Sequence, residues 1–190
     1  MNYLAHIYLS GDCPAVQIGN FIGDFVKGKT YLKYSPKIRE GILLHRFIDS
    51  YTDNHALFTE AKSLLRDSFG RYAGIVLDMY YDHFLACDFE RYSKHSLSRF
   101  SHIFYRSMIC HYWSLPKDVR RFAWHFISSN RLCKYASLEG LQQSLEIMTH
   151  YKPLNLDATE VITFLTDHYA LLHENFHAFF SDAIRETANK

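Results

Sequence analysis

Two carboxylates one helical turn apart, Asp78 and Asp82, lie in the stretch YAGIVLDMYYDHFLA (72–86), which is apolar or aromatic almost all the way round a helix. A helix of that kind is normally buried. No Lys or Arg occurs between Arg71 and Arg91 to pair with them. A buried, unpaired carboxylate must take up a proton, meet a distant cation or bind a metal. His83 follows Asp82 and adds a nitrogen donor beside the oxygen one. Read alone, the helix fits Asp82 in a distant ion pair and His83 as a hydrogen-bonded core residue as well as it fits a metal site. Two further stretches tip the balance. CPAVQIGNFIGDFV (13–26) holds one charge, Asp24, in apolar surroundings, and is read as burying a third acid. GILLHRFIDSYTDN (41–54) sets His45 and Asp49 one turn apart beside the stripe of Leu43, Leu44, Phe47, Ile48 and Tyr51. An i, i+4 His and Asp present two ligands, or a ligand and the carboxylate that orients it, to one point. Asp53 and Asn54 read as a helix end, and His6 reads more simply as a hydrogen-bonded core histidine than as a ligand.

Carboxylates and imidazoles without thiolates suit Mn, Mg, Fe or Zn. Hydrolysis of a phosphoester follows naturally, since a cation neutralises phosphate oxygens and acidifies a bound water. Arg46 offers a bidentate grip on phosphate, with a surface salt bridge as an equal alternative. Residues 173–177, His-Glu-Asn-Phe-His, match the HExxH spacing of zinc metalloproteases. Three fixed positions recur easily in a chain with 12 histidines, and the sequence offers no convincing third ligand or edge strand, so this is not taken as the active site. Asp167-His168 is assigned to an amphipathic surface helix.

The elements that position these groups are predicted to be helical. Four Pro and eight Gly in 190 residues are too few for a turn-rich β architecture, and apolar residues recur at helical spacing. Helices are expected over 2–10, 14–27, 36–52, 55–68, 71–87, 89–112, 116–128, 137–150 and 157–187, with Pro14, Pro36, Pro116 and Pro153 at starts or stops. With 48% hydrophobic and 16% aromatic residues, a single all-α domain spanning 1–190 is expected. Cys13, Cys87, Cys110 and Cys133 are scattered, which predicts free buried thiols rather than a disulfide framework. No apolar run reaches about 18 residues and no secretory leader is recognisable, so a cytoplasmic protein without membrane association is expected. The formal charge of +1 gives no general attraction to nucleic acid. Nothing in the sequence sets the oligomeric state.

MNYLAH (1–6), GNFIGDFVKG (19–28), GILLHRFIDSYTDN (41–54) and LDMYYDHFL (77–85) together resemble the acyl carrier protein phosphodiesterase family. The resemblance runs over essentially the whole length and is looser in the C-terminal half. It implies a helical bundle similar to HD-type phosphohydrolases, with an inverted Asp82-His83 dipeptide. The implied metal ligands are Asp24, His45, Asp82 and His83, with Asp49 and His6 less secure and Arg46 nearby. It also implies a divalent cation, typically Mn2+ with Mg2+ or Fe2+ as alternatives, and holo-acyl carrier protein as substrate. The implied reaction returns the apo-carrier and 4′-phosphopantetheine, with His6 or the metal assisting the leaving oxygen and Asp49 orienting water. Two other readings remain open from the residues: a helical phosphohydrolase acting on a nucleotide or other small phosphoester, and a non-catalytic interaction module.

The segment KGKTYLKYSPKIR (27–39) carries Lys27, Lys29, Lys33, Lys37 and Arg39 without an acid. Such a run is more often a solvated loop. Acyl carrier proteins are acidic as a family, so the resemblance makes this stretch a candidate docking surface.

Overall fold

The computed structural model describes residues 2–151 and 155–188, without the side chains of His150 and Tyr151. Pro153, expected at a helix boundary, lies outside the described residues. Among these residues there is no strand. The helices are α1 (Tyr3–Tyr8), α2 (Pro14–Phe21), α3 (Pro36–Asn54), α4 (Ala56–Phe69), α5 (Ala73–Cys87), α6 (Phe89–Tyr92), α7 (Leu97–Cys110), α8 (Lys117–Ser128), α9 (Arg131–Lys134), α10 (Leu138–Tyr151), α11 (Ala158–Asp167) and α12 (Tyr169–Thr187). Pro14 and Pro36 open α2 and α3 at their first turns, where the missing N–H is one that no helix satisfies internally.

Helix α5 is the buried axis of the bundle, with Tyr80, Tyr81, Phe84 and Leu85 all at 0% exposure. Its phenols find partners, as buried ones must: the Tyr80 hydroxyl donates to the Val161 carbonyl at 2.6 Å, and that of Tyr81 donates to Asn175 Oδ1. Helices α2 and α3 cross with their backbones in contact. A Cβ on Gly19 would lie 2.0 Å from the Ile38 carbonyl oxygen, and one on Gly41 2.1 Å from that of Val16. Only hydrogen fits at those two positions, so this crossing fixes the distance between the elements that carry Asn20 and His45.

Four departures from the sequence reading have local causes. The helix expected over 14–27 stops at Phe21 and tightens into a 3₁₀ turn at Gly23–Phe25. The one expected over 89–112 breaks where Ser93 is extended, and α7 restarts on the Ser96 hydroxyl, which accepts from the Arg99 N–H at 3.3 Å; serine favours such caps over helix interiors. The one expected over 157–187 divides at His168. Helix α9 was not foreseen; it follows Asn130 in the left-handed region at φ 48°, a conformation asparagine tolerates. The four thiols are free as expected but not buried, since Cys87 and Cys110 are exposed and the other two half-buried. Among the described residues, no helix is long and apolar enough to cross a membrane.

Candidate metal centre

His6 in α1 and His45 in α3 are buried, at 3% and 5% exposure, and their rings stack with centroids 4.2 Å apart. Asn20 in α2 joins them: its Oδ1 lies 2.8 Å from His6 Nδ1 and 3.2 Å from His45 Nδ1. The orientation of that amide follows from its other end. Asn20 Nδ2 donates to the His6 carbonyl at 2.9 Å and to Ser10 Oγ at 2.8 Å, while the Ser10 hydroxyl donates to the same carbonyl at 2.8 Å. A carbonyl only accepts, so Oδ1 is the end that faces the rings. Both histidines must then donate from Nδ1, which leaves a lone pair on each neutral Nε2.

Those two Nε2 atoms converge on one carboxylate. His6 Nε2 is 3.2 Å from Asp49 Oδ1 and His45 Nε2 is 3.1 Å from Asp49 Oδ2, yet neither nitrogen makes a well-formed hydrogen bond. Lone pairs facing a carboxylate repel unless a positive charge sits between them. Either a proton or a metal ion can supply it, and the two imidazoles and one carboxylate fit a divalent metal of the Mn, Fe or Zn class. All three groups have a candidate ligand atom within 4.8 Å of the others. Burial pulls His6 down to about 4. Burial also opposes charge on His45, but the Asp24 and Asp49 carboxylates outweigh it and raise His45 to about 9. Burial favours a neutral Asp49 as well, and the two histidines overcome it and hold the carboxyl far below the usual range.

Asp24 joins this group from the solvent side. Its Oδ1 is 3.4 Å from His45 Nε2, and its side chain is 70% exposed, so the third buried acid expected from the sequence is instead a surface acid. The 3₁₀ turn that ends α2 carries it to the mouth of the site, and the interaction with His45 lowers its pKa. Gly23 in that turn is obligatory for packing, because a Cβ there would lie 2.2 Å from His45 Cγ. Gly23→Ala is expected to rotate His45 off Asn20 and weaken metal binding by about 10–100-fold, the usual cost of disturbing a ligand's support. Calorimetric titration with Mn2+ checks this, and unchanged affinity would refute it.

Asp82, His83 and Arg46 are not brought to this point. Asp82 is fully buried, but its Oδ2 accepts the Leu4 N–H at 2.8 Å and its Oδ1 the Ala5 N–H at 3.0 Å. It caps the N-terminus of α1, whose own cap residue Asn2 makes no side-chain capping bond and donates instead to the Tyr135 hydroxyl at 3.4 Å. His83 Nδ1 donates to the Tyr135 carbonyl at 2.7 Å, the core role weighed as its alternative. Arg46 Nη2 donates to the carbonyls of Val26 at 2.9 Å and Gly28 at 2.8 Å, and its guanidinium lies 5.1 Å from the Tyr31 ring centroid. That arginine pins the basic loop instead of pointing a fork at phosphate. Asp78, read as buried, is half-buried. Within 27–39, Lys37 pairs with Glu40 at 2.8 Å and Arg39 donates to the Leu32 carbonyl at 3.0 Å, while Lys27, Lys29 and Lys33 are exposed. The residue that sequence reasoning missed is Asn20. An amide in an otherwise apolar helical stretch was its signal.

Residues 1–183 match the family described as acyl carrier protein phosphodiesterase. Proteins of that name from Photorhabdus laumondii, Yersinia pestis and Salmonella agona are 30%, 28% and 31% identical. Each alignment covers 100% of this chain and respectively 96%, 99% and 99% of the relative. No solved structure matches the chain.

Proposed function

The chain belongs to the acyl carrier protein phosphodiesterase family, and from that footing we propose that it cleaves the phosphodiester joining 4′-phosphopantetheine to the serine of holo-acyl carrier protein. His6, His45 and Asp49 would hold a divalent cation, Mn2+ first, with Fe2+ as the alternative that two imidazoles best admit, and Asp24 would close the site on its open side. The observation that supports a metal most directly is the pair of buried Nε2 atoms that converge on one carboxylate without a well-formed hydrogen bond. A bound cation supplies charge neutralisation at the phosphate and a water acidified toward neutral pH. The chain's own groups do the rest. Asn20 holds both imidazoles in the ligating tautomer, Asp49 ties α3 to α1 across the site, and Asp24 is the exposed carboxylate at hand to orient the attacking water. Water would form the new P–O bond as the serine oxygen departs with one of that water's protons, giving apo-carrier and free 4′-phosphopantetheine. The test is incubation of purified protein with holo-carrier and Mn2+ followed by mass measurement of the carrier. Loss of the prosthetic group in a chelator-sensitive manner is expected, and an unchanged mass would overturn the proposal.

The exposed Lys27, Lys29 and Lys33 sit on the loop that follows Asp24 and that Arg46 anchors. A carrier docked there would present its prosthetic arm to the metal. Lys29→Glu with Lys33→Glu should lower kcat/KM by about tenfold at low salt while changing kcat less, because charge complementarity acts mainly on encounter. The deficit should shrink as salt shortens the Debye length below about 10 Å. Unchanged kcat/KM at low salt would move the docking surface toward Lys117, Arg120 and Arg121.

A further inference from the structure

The HExxH spacing in α12 acquires a third group that the sequence did not offer. Asp88, at the C-terminal end of α5, places Oδ2 2.6 Å from His173 Nε2 and 2.9 Å from His177 Nε2, and the two nitrogens are 3.1 Å apart. Three candidate ligand atoms from two helices therefore meet at one point. Glu174, at the position of the general base in the metalloprotease pattern, is exposed and lies outside this group. The rings are held before any ligand arrives. His173 packs on Phe84 and Tyr169, with centroids 5.1 and 5.6 Å away, and His177 on Phe176 at 5.4 Å. His177 Nδ1 bonds to the Tyr92 hydroxyl, the kind of partner that orients a ligating imidazole from behind. The Tyr92 carbonyl in turn accepts from the Tyr8 hydroxyl at 2.6 Å.

We propose that Asp88, His173 and His177 form a second cation site, of the class that binds Zn2+, sharing no residue with the His6, His45 and Asp49 centre. Two imidazoles and a carboxylate favour zinc over Mg2+ or Ca2+. Zinc–ligand distances of about 2.0–2.1 Å imply a spacing of about 3.3 Å between ligand atoms of a tetrahedral site. The observed spacings of 2.6, 2.9 and 3.1 Å are all shorter than this, so the side chains would open slightly by χ rotation to admit the ion. Side-chain exposures of 31%, 30% and 15% for Asp88, His173 and His177 leave the point open to solvent, so water would complete the coordination. The ion would clamp the end of α5 to α12. It contributes no peptidase activity.

The site stands or falls independently of the proposed phosphodiesterase chemistry. The test is equilibrium titration of the metal-depleted full chain with Co2+, read by visible absorption, and then displacement by Zn2+. In a His45→Ala background one equivalent of Co2+ per chain should remain. Asp88→Asn, which keeps shape and hydrogen bonding, and His177→Ala should each weaken that equivalent by at least about tenfold with helical circular dichroism intact. If the His45 variant does not fold, the same comparison in the wild-type background should lose one equivalent in each variant. Retention of every equivalent in both Asp88→Asn and His177→Ala, or no Co2+ bound by a folded His45→Ala chain, would overturn the site.

Discussion

His45→Ala is expected to lower turnover by at least about 10³-fold and to release the catalytic cation, while the helical signal is kept. The estimate exceeds the roughly 10–100-fold that follows from disturbing a group behind a ligand, because this residue supplies the ligand itself. Its removal also leaves Asp24 and Asp49 facing each other without the imidazole that both approach. The pH behaviour follows from the same geometry. Asp24 and Asp49 raise His45 to about 9 against the effect of burial, whereas burial lowers His6 to about 4. Between the ordinary histidine value near 6.5 and about 9, metal-free protein therefore carries its proton on His45 and none on His6. A cation must displace that proton. Metal binding at pH 7 should release about one proton per chain, and affinity should climb with pH until about 9. The stability that the His45 proton contributes is complete below the unfolded histidine pKa and fades as pH rises through about 9. Titration calorimetry in buffers of different ionisation heat measures the proton release. No release from wild type, or the same release from His45→Ala, would sink this account.

Asp82→Ala should destabilise the whole fold by about 2–6 kcal/mol. Two buried backbone donors, on Leu4 and Ala5, lose the carboxylate oxygens that accept from them, and each stranded buried donor costs about 1–3 kcal/mol. That is a large share of a total stability near 5–15 kcal/mol. Helix α1 has six residues, too few to hold itself together, and it carries His6. The metal centre should therefore loosen before the bundle does. Urea unfolding with Mn2+ titration distinguishes the two effects. An Asp82→Ala protein within about 0.5 kcal/mol of wild type that nevertheless loses metal as fully as His45→Ala would return Asp82 to the ligand set.

The two variants show which parts of the molecule were legible in the sequence. His45 and Asp49 could be paired from their spacing alone, because an i, i+4 relation survives any tertiary arrangement of the helix. The position of Asp24 could be guessed but not its exposure, since that depends on α2 tightening at Gly23 so that the His45 ring can pack on bare backbone. Asp82 was misleading for a physical reason. A carboxylate sealed in an apolar helix does need a positive partner, and the sequence cannot indicate that the partner is the N-terminus of a distant short helix. Backbone N–H groups carry no residue code. His6 is the buried, hydrogen-bonded histidine expected from the sequence, but nothing local could indicate that its other nitrogen faces Asp49. The all-helical class was readable from periodicity, whereas the breaks at Ser93 and His168 depended on caps and packing.

In the proposed reaction a cation at His6, His45 and Asp49 would run the hydrolysis of holo-acyl carrier protein. Its most direct test is stepwise reloading of metal-depleted protein with Mn2+ while both bound metal at this centre and released 4′-phosphopantetheine are counted. Turnover should rise in proportion to occupancy, vanish in a folded His45→Ala/Asp49→Ala chain, and be indifferent to Zn2+ bound elsewhere. Full turnover by the metal-depleted protein, or by that double variant, would contradict the account.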